Sequence, residues 1–273
     1  MQRKTFHTSR IVLTALLVTG WSVPAQADWD PGDGHVMHWP QEPDLEFGMN
    51  VSADVKNRHI ILADDWLATW TTEVTGIHIW GSWLNDRLPQ TADGVVDPGL
   101  VEFKLSIHED TPGGPGPELW SNVFGPGDFD VRPYAQAEQA FYDPKDDAIL
   151  GFDTLVFQYN VDVSGFIQND GEHYWLDVQA LPWDDVAHFG WKTTSPEEGP
   201  NASYRAPAHF NQNEVFSQEP PLGNWQPMFY PDDHPHAGLP IDQAFVIVPE
   251  PGSLALLGVG AGLMLLRARR RRG

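Results

Sequence analysis

The chain has 273 residues, 16 Lys and Arg against 38 Asp and Glu, 12 % aromatics and no cysteine. This composition excludes a collagen, a coiled coil and a disulfide-built mini-domain, and it carries too much apolar surface for wholesale disorder. The charge is segregated: eight basic residues sit at the two ends, while all 38 acids fall between Asp28 and Glu250 beside the other eight bases. A body of that sign is the opposite of what a phosphate backbone requires, so nucleic acid is excluded as a partner.

Residues 1–27 read as a secretory signal peptide. Arg3, Lys4 and Arg10 form a basic leader, and Ile11 to Gly20 is a short apolar run. Ala25-Gln26-Ala27 is an A-x-A cleavage site that makes Asp28 the first mature residue. The apolar run is too short for a comfortable bilayer span. The next segment, Asp28 to His35, places acids at 28, 30 and 33. It looks like a calcium loop but lacks the register and the bidentate Glu of an EF-hand.

From here to residue 248 period-2 alternation dominates. Val101 to His108 is apolar at every odd position, which predicts a half-buried strand with Val101, Phe103, Leu105 and Ile107 inward. Ile77 to Trp83 alternates until Gly81, which marks a bulge or a close backbone approach. Tyr174–Leu181, Asp153–Asp162 and Ile241–Val248 are further strands, and Arg58–Ala63, Glu118–Val123, Phe189–Thr194 and Trp225–Tyr230 are shorter ones. Gly- and Pro-rich turns separate them. Only Tyr134–Tyr142 suggests a helix. The expected fold class is all-β: a single β-sandwich or jelly-roll-like domain over residues 28–248, flanked by a signal peptide (1–27) and a sorting segment (249–273). Without cysteine it must be held by core burial, for which about 220 residues suffice.

Several constellations could carry chemistry. Asp64 and Asp65 are adjacent carboxylates, but neighbours on a strand point to opposite faces. The plainer reading has one capping a turn and the other solvated; the sharper one has them binding Ca²⁺ or doing acid–base work. Asp184 and Asp185 follow Trp183, and with the first pair they are the carboxylates a glycan hydrolase would need about 5–10 Å apart. Asp232-Asp233-His234-Pro235-His236 offers two imidazoles that share a face when extended, beside two acids, as a transition-metal or adhesion site would. Against this stands a plain proline-rich surface loop. Trp175, on the face opposite Leu176, and Trp183 in the following loop are candidate platforms for stacking on sugar rings, against the plainer reading that packs most of the tryptophans in the core. No nucleophile, zinc or phosphate-loop fingerprint occurs, and thiol catalysis is excluded. No cofactor is expected, Ca²⁺ apart.

The C-terminus is tripartite. Pro249-Glu250-Pro251 is followed by the uncharged Gly252–Leu266 and then by Arg267, Arg269, Arg270, Arg271 and Arg272. As a helix the apolar stretch is about 22 Å long, short of the ~30 Å hydrocarbon core. The arginines would stay cytoplasmic, with the acidic body outside the inner membrane. This tail resembles the PEP-CTERM sorting signal. The resemblance implies recognition of Pro249, Glu250 and Pro251 by an exosortase, processing of a membrane-anchored precursor, and delivery to the cell surface or an exopolysaccharide matrix. These are substrate positions, not catalytic ones.

The order His38-Trp39-Pro40, Ala63-Asp64-Asp65-Trp66, Ile77 to Trp83, Ser106-Ile107-His108, Tyr174 to Asp177, Gly190-Trp191-Lys192 and Asp242 to Ile247 is similar to a family of uncharacterised extracellular domains. That family is common in planctomycetes and often carries such tails; it brings no functional residue with it. The sequence therefore suggests an exported, non-catalytic surface or matrix protein whose partners are an exosortase, the secretion machinery, transiently the inner membrane, and exopolysaccharide. A secreted glycan hydrolase and a calcium-dependent adhesion module stand as alternatives.

Overall fold

A computed structural model describes residues 28–196, 206–212 and 224–249. The signal-peptide residues Ala25 and Ala27, and Glu250, Pro251 and the arginines from Arg267 to Arg272, lie outside them. Twelve strands are described: β1 (Asn50–Ser52), β2 (Ile60–Leu67), β3 (Thr72–Trp83), β4 (Val101–Thr111), β5 (Gly114–Phe124), β6 (Asp130–Asp143), β7 (Ala148–Gln168), β8 (His173–Pro182), β9 (Phe189–Lys192), β10 (His209–Gln212), β11 (Gln226–Pro227) and β12 (Phe245–Val248). They form two six-stranded sheets in the orders β12-β3-β7-β6-β1-β9 and β11-β10-β2-β8-β4-β5. The arrangement is the sandwich the alternation predicts.

The first sheet also closes on itself. Strand β3 runs along β7 on one edge. On its other edge Gly76–Ile79 pair with β12, and Gly81–Trp83 pair with β9. Strand β9 in turn pairs with β1, which pairs in parallel with β6. The closure depends on two glycines without side chains. A Cβ at Gly81 would lie 2.3 Å from the Phe189 ring, and one at Gly190 2.6 Å from the Phe141 ring. Gly81 is thus a close approach; the register shift in β3 sits earlier, between Val74 and Gly76.

The inward residues of both sheets make one core. Phe103 of β4 meets Phe129, Tyr159 and Phe189 edge-on at 5.1–5.3 Å between centroids. Buried polar tips are paired: Trp83 Nε1 donates to Tyr159 Oη at 3.0 Å and Trp191 Nε1 to the Ala244 carbonyl at 2.7 Å. Residues 36–41 lie along β12, with Val36 N and Gln41 N donating to the Ile247 and Phe245 carbonyls, so that edge is not left open.

Two expectations are corrected. Tyr134–Tyr142 is not helical but the body of β6, paired to β7 along its length with three register shifts. Its Ala, Gln and Glu favour helix locally, and the long hairpin overrides that preference. Strand β4 is not half-buried: Lys104, Ser106 and His108 on its polar face are as inaccessible as the apolar face. The strand expected at Trp225–Tyr230 is reduced to the two residues of β11, and β1 and β10 are strands that the alternation did not reveal.

A Gly81→Ala chain should lose about 1–3 kcal/mol of stability, because the added methyl meets a packed ring and the Gly190 carbonyl at 2.9 Å. Gly113→Ala, with nothing within 4 Å of its new methyl, is the control. Urea unfolding of the two side by side checks this; equal midpoints would contradict the closure argument.

Candidate functional site

Asp64 and Asp65 sit near the middle of β2 and, as expected, face opposite ways. Neither is solvated. Asp64 accepts from the Gln243 N–H at 2.6 Å and from the Asp65 N–H at 2.9 Å. Asp65 accepts from the Ala206 N–H at 2.9 Å and pairs with His173 Nδ1 at 3.2 Å. Burial pushes the Asp65 carboxyl up, against the pull of His173. Asp65 also lines a hollow with Met37, His38, Trp39 and Gln41 whose free volume is only about 10 Å³, far below the ~300–1,000 Å³ typical of ligand pockets.

The face of β4 and β8 turned away from the core carries a line of buried polar side chains. Ser106 pairs in register with Asp177, Lys104 with Gln179, and His108 with Trp175. His108 Nε2 is 3.4 Å from Asp177 Oδ2, and its Nδ1 is 3.0 Å from the Gly116 carbonyl. Burial pulls the His108 imidazole down, but the Asp177 carboxylate outweighs it and the net shift is upward. Lys104 Nζ donates to Glu118 Oε2 at 3.0 Å.

Trp175 belongs to this layer and is not an exposed platform. It is 1 % accessible, donates from Nε1 to Asp110 Oδ1 at 2.8 Å, and meets the His209 ring edge-on at 4.9 Å. It packs with Val55, Ile61, Ala63 and Trp225 in a second, small apolar cluster. The segment around Trp225 covers what alternation alone presents as an outer face. Trp183 is 52 % exposed. Its main chain is fixed by its N–H to the Leu100 carbonyl and by Lys56 Nζ to its own carbonyl.

The carboxylates beside Trp183 are engaged. Asp184 accepts the N–H groups of Val186, Ala187 and Gln90 at 2.8–2.9 Å. Burial pushes its carboxyl up, but these bonds outweigh that and hold it below the ordinary range. Asp185 pairs with Lys56 at 2.8 Å. Of the N-terminal acids, Asp30 meets Arg132 at 2.6 Å, Asp28 lies 3.6 Å from it, and Asp33 accepts the Asp30 N–H.

In the 232–236 segment Asp232 and Asp233 are exposed. His234 stacks on Tyr230 at 4.4 Å and accepts the His236 N–H at 3.1 Å. His236 Nε2 lies 3.4 Å from Asp44 Oδ2, a distant carboxylate that the sequence did not assign. Among the described residues no three His, Asp or Glu side chains converge as metal ligands would.

A further group was not visible in the sequence. Where the first sheet closes, β1, β3, β7 and β9 bring together Asn50, Ser82, Asp153 and Lys192, all at most 1 % accessible. Asn50 Nδ2 donates to both Asp153 oxygens, at 2.8 and 2.7 Å. Lys192 Nζ and Asn50 Oδ1 are buried with no hydrogen-bond partner among the described residues. Burial pushes Asp153 up from the ordinary carboxyl range and Lys192 down from the ordinary amine range, and the attraction between the two charges opposes both shifts without cancelling them. The only sequence signal is a lysine at the end of the apolar strand Phe189–Lys192.

Compared with known proteins, residues 37–248 match a family model described as a domain of unknown function, DUF7901. Residues 248–272 match the PEP-CTERM protein-sorting motif. No curated protein and no solved structure matches the chain.

The His108 imidazole should titrate above its ordinary value of 6.5, and those of His78 and His209, where burial dominates, below it. With its folded value raised, His108 contributes stability in full below about pH 6.5 and loses it as pH climbs through the folded value. NMR titration of the ring protons measures this. Asp177→Asn should bring the His108 midpoint down; a midpoint unmoved by that change would show that Asp177 does not set it.

Proposed function

From the premise that the chain belongs to the DUF7901 family and ends in a PEP-CTERM protein-sorting motif, we propose that it is a non-catalytic component of the cell surface or extracellular matrix, contacting exopolysaccharide. The motif marks an exported protein processed at the membrane by an exosortase. The finer reading rests on how the described acids are used. Asp64, Asp65, Asp184 and Asp185 each accept backbone N–H groups or pair with a cation. Carboxylates engaged in this way serve the fold, which supports a non-catalytic reading over that of a glycosidase pair.

The observation that carries the glycan contact is Trp183. It is a large indole held in the open by a fixed main chain, on a strongly acidic body that repels its own copies and stays dispersed. Indole faces stack on sugar rings while the neighbouring polar groups meet hydroxyls.

Affinity electrophoresis of the full chain through gels containing dextran, alginate or xanthan, with and without millimolar Ca²⁺, tests this reading. The wild-type protein should be retarded by at least one polymer, and Trp183→Ala should weaken retention about tenfold, the worth of one stacked ring. Migration unaffected by every polymer would remove the glycan contact and leave a purely structural role.

A further inference from the structure

The closed end of the first sheet holds three side chains whose arrangement has no use as packing. Asn50 and Lys192 are directly opposed across the antiparallel pair β1–β9. Opposed residues project to the same face with Cβ atoms about 4.5–5.5 Å apart, so the lysine stem can bring Nζ to the Asn50 carboxamide. Asp153, from β7, stands on the nitrogen side of that carboxamide with both oxygens within 2.8 Å of Nδ2. The Phe141 ring closes over Gly190, two residues before the lysine.

We propose that Lys192 and Asn50 become joined by an intramolecular isopeptide bond, made by the folded chain itself with Asp153 as the proton carrier. The proposal is independent of the glycan reading.

The chemistry needs nothing beyond these groups. A buried ammonium with no hydrogen bond is costly, and Lys192, whose charge is attracted by Asp153, relieves that cost by passing it the proton. Burial shifts both groups in the direction of that transfer. The neutral Nζ lone pair then attacks Cγ of Asn50. The bond from Cγ to Nδ2 breaks as Asp153 delivers its proton to Nδ2, which leaves as ammonia. Nζ sheds one further proton to the Asp153 carboxylate, so the carboxyl ends as it began the attack. One C–N bond forms and one breaks, and no electron is gained or lost. Two other features suit the reaction. The carboxylate already touches the leaving nitrogen, and the site is closed to water, which would otherwise compete for Cγ.

Peptide mapping of the full chain, purified and denatured, tests the bond. Trypsin should yield the peptide ending at Lys56 joined to the one running from Asp146 to Arg205, uncut after Lys192. Its mass should be about 17 Da below the sum of the two, the mass of the lost ammonia. Asp153→Asn and Lys192→Met chains should give the two segments unjoined and at full mass. Recovery of separate segments from the wild-type chain, with cleavage after Lys192, would overturn the proposal. That measurement decides even if both variants fail to fold. A joined peptide from Asp153→Asn would overturn the role of Asp153.

Discussion

The structure depends on how the second edge of β3 is shared. Four residues of that edge, Gly76–Ile79, take β12 from the end of the domain, and three more, Gly81–Trp83, take β9. Strand β9 reaches the edge through close contact at Gly81 and Gly190, where any side chain would strike Phe189 or Phe141, and β12 through Gly76, where one would meet Val248. Sharing turns an open sheet into a closed one and removes an edge that could pair with another molecule. It also fixes what lies within. Phe189 faces the aromatic core beside Trp83, while Gly190 and Lys192, on the other face of β9, look into the closed end. The same strand serves the stability of the sandwich and the assembly of its buried polar group.

Charge is handled in an unusual way. With 38 acids and only eight bases in the body, ion pairs cannot satisfy most carboxylates. The fold uses backbone N–H groups instead. Asp44 accepts from Glu46 and Phe47, Asp86 from Thr154 and Leu155, Asp143 from Lys145 and Asp146. Burial pushes the Asp44 and Asp86 carboxyls up, yet these bonds outweigh it and hold both below the ordinary range. Such bonds are charge-assisted and stronger than their neutral counterparts. Many acids are therefore local tethers for turns and chain crossings, and the net negative charge is in part a by-product of how the loops are tied.

The legible part of the fold was the part governed by period 2. The strict alternation of Val101–His108 placed Val101, Phe103, Leu105 and Ile107 in the core, where they lie. What alternation cannot say is whether the opposite face meets water. His108 and Trp175 read as outward and are covered by segments far along the chain, around Trp225 and His209. The helical reading of Tyr134–Tyr142 failed for a related reason: local preference was strong, and a 21-residue partner strand was stronger. The site at the closed end was hidden altogether. Asn50 and Asp153 are 103 positions apart, and neither has a neighbour in sequence that marks it.

Two buried lysines show what separates a structural polar group from a reactive one. Lys104 reaches Glu118 at 3.0 Å near the sheet rim and is satisfied there. Desolvation is offset by a carboxylate, and the pair is an ordinary fold element. Lys192 lies deeper and has no such bond among the described residues. The carboxylate nearest in the fold's design, Asp153, spends both oxygens on the Asn50 amide nitrogen. If the lysine served only to fill volume, an aliphatic side chain would do so without the desolvation cost. An amine and a carboxamide oxygen with no hydrogen bond among the described residues, and a carboxyl on the nitrogen side, become intelligible when the three are taken as reactants. In an exported chain without cysteine, a covalent tie between β1 and β9 would lock the closure on which the first sheet depends.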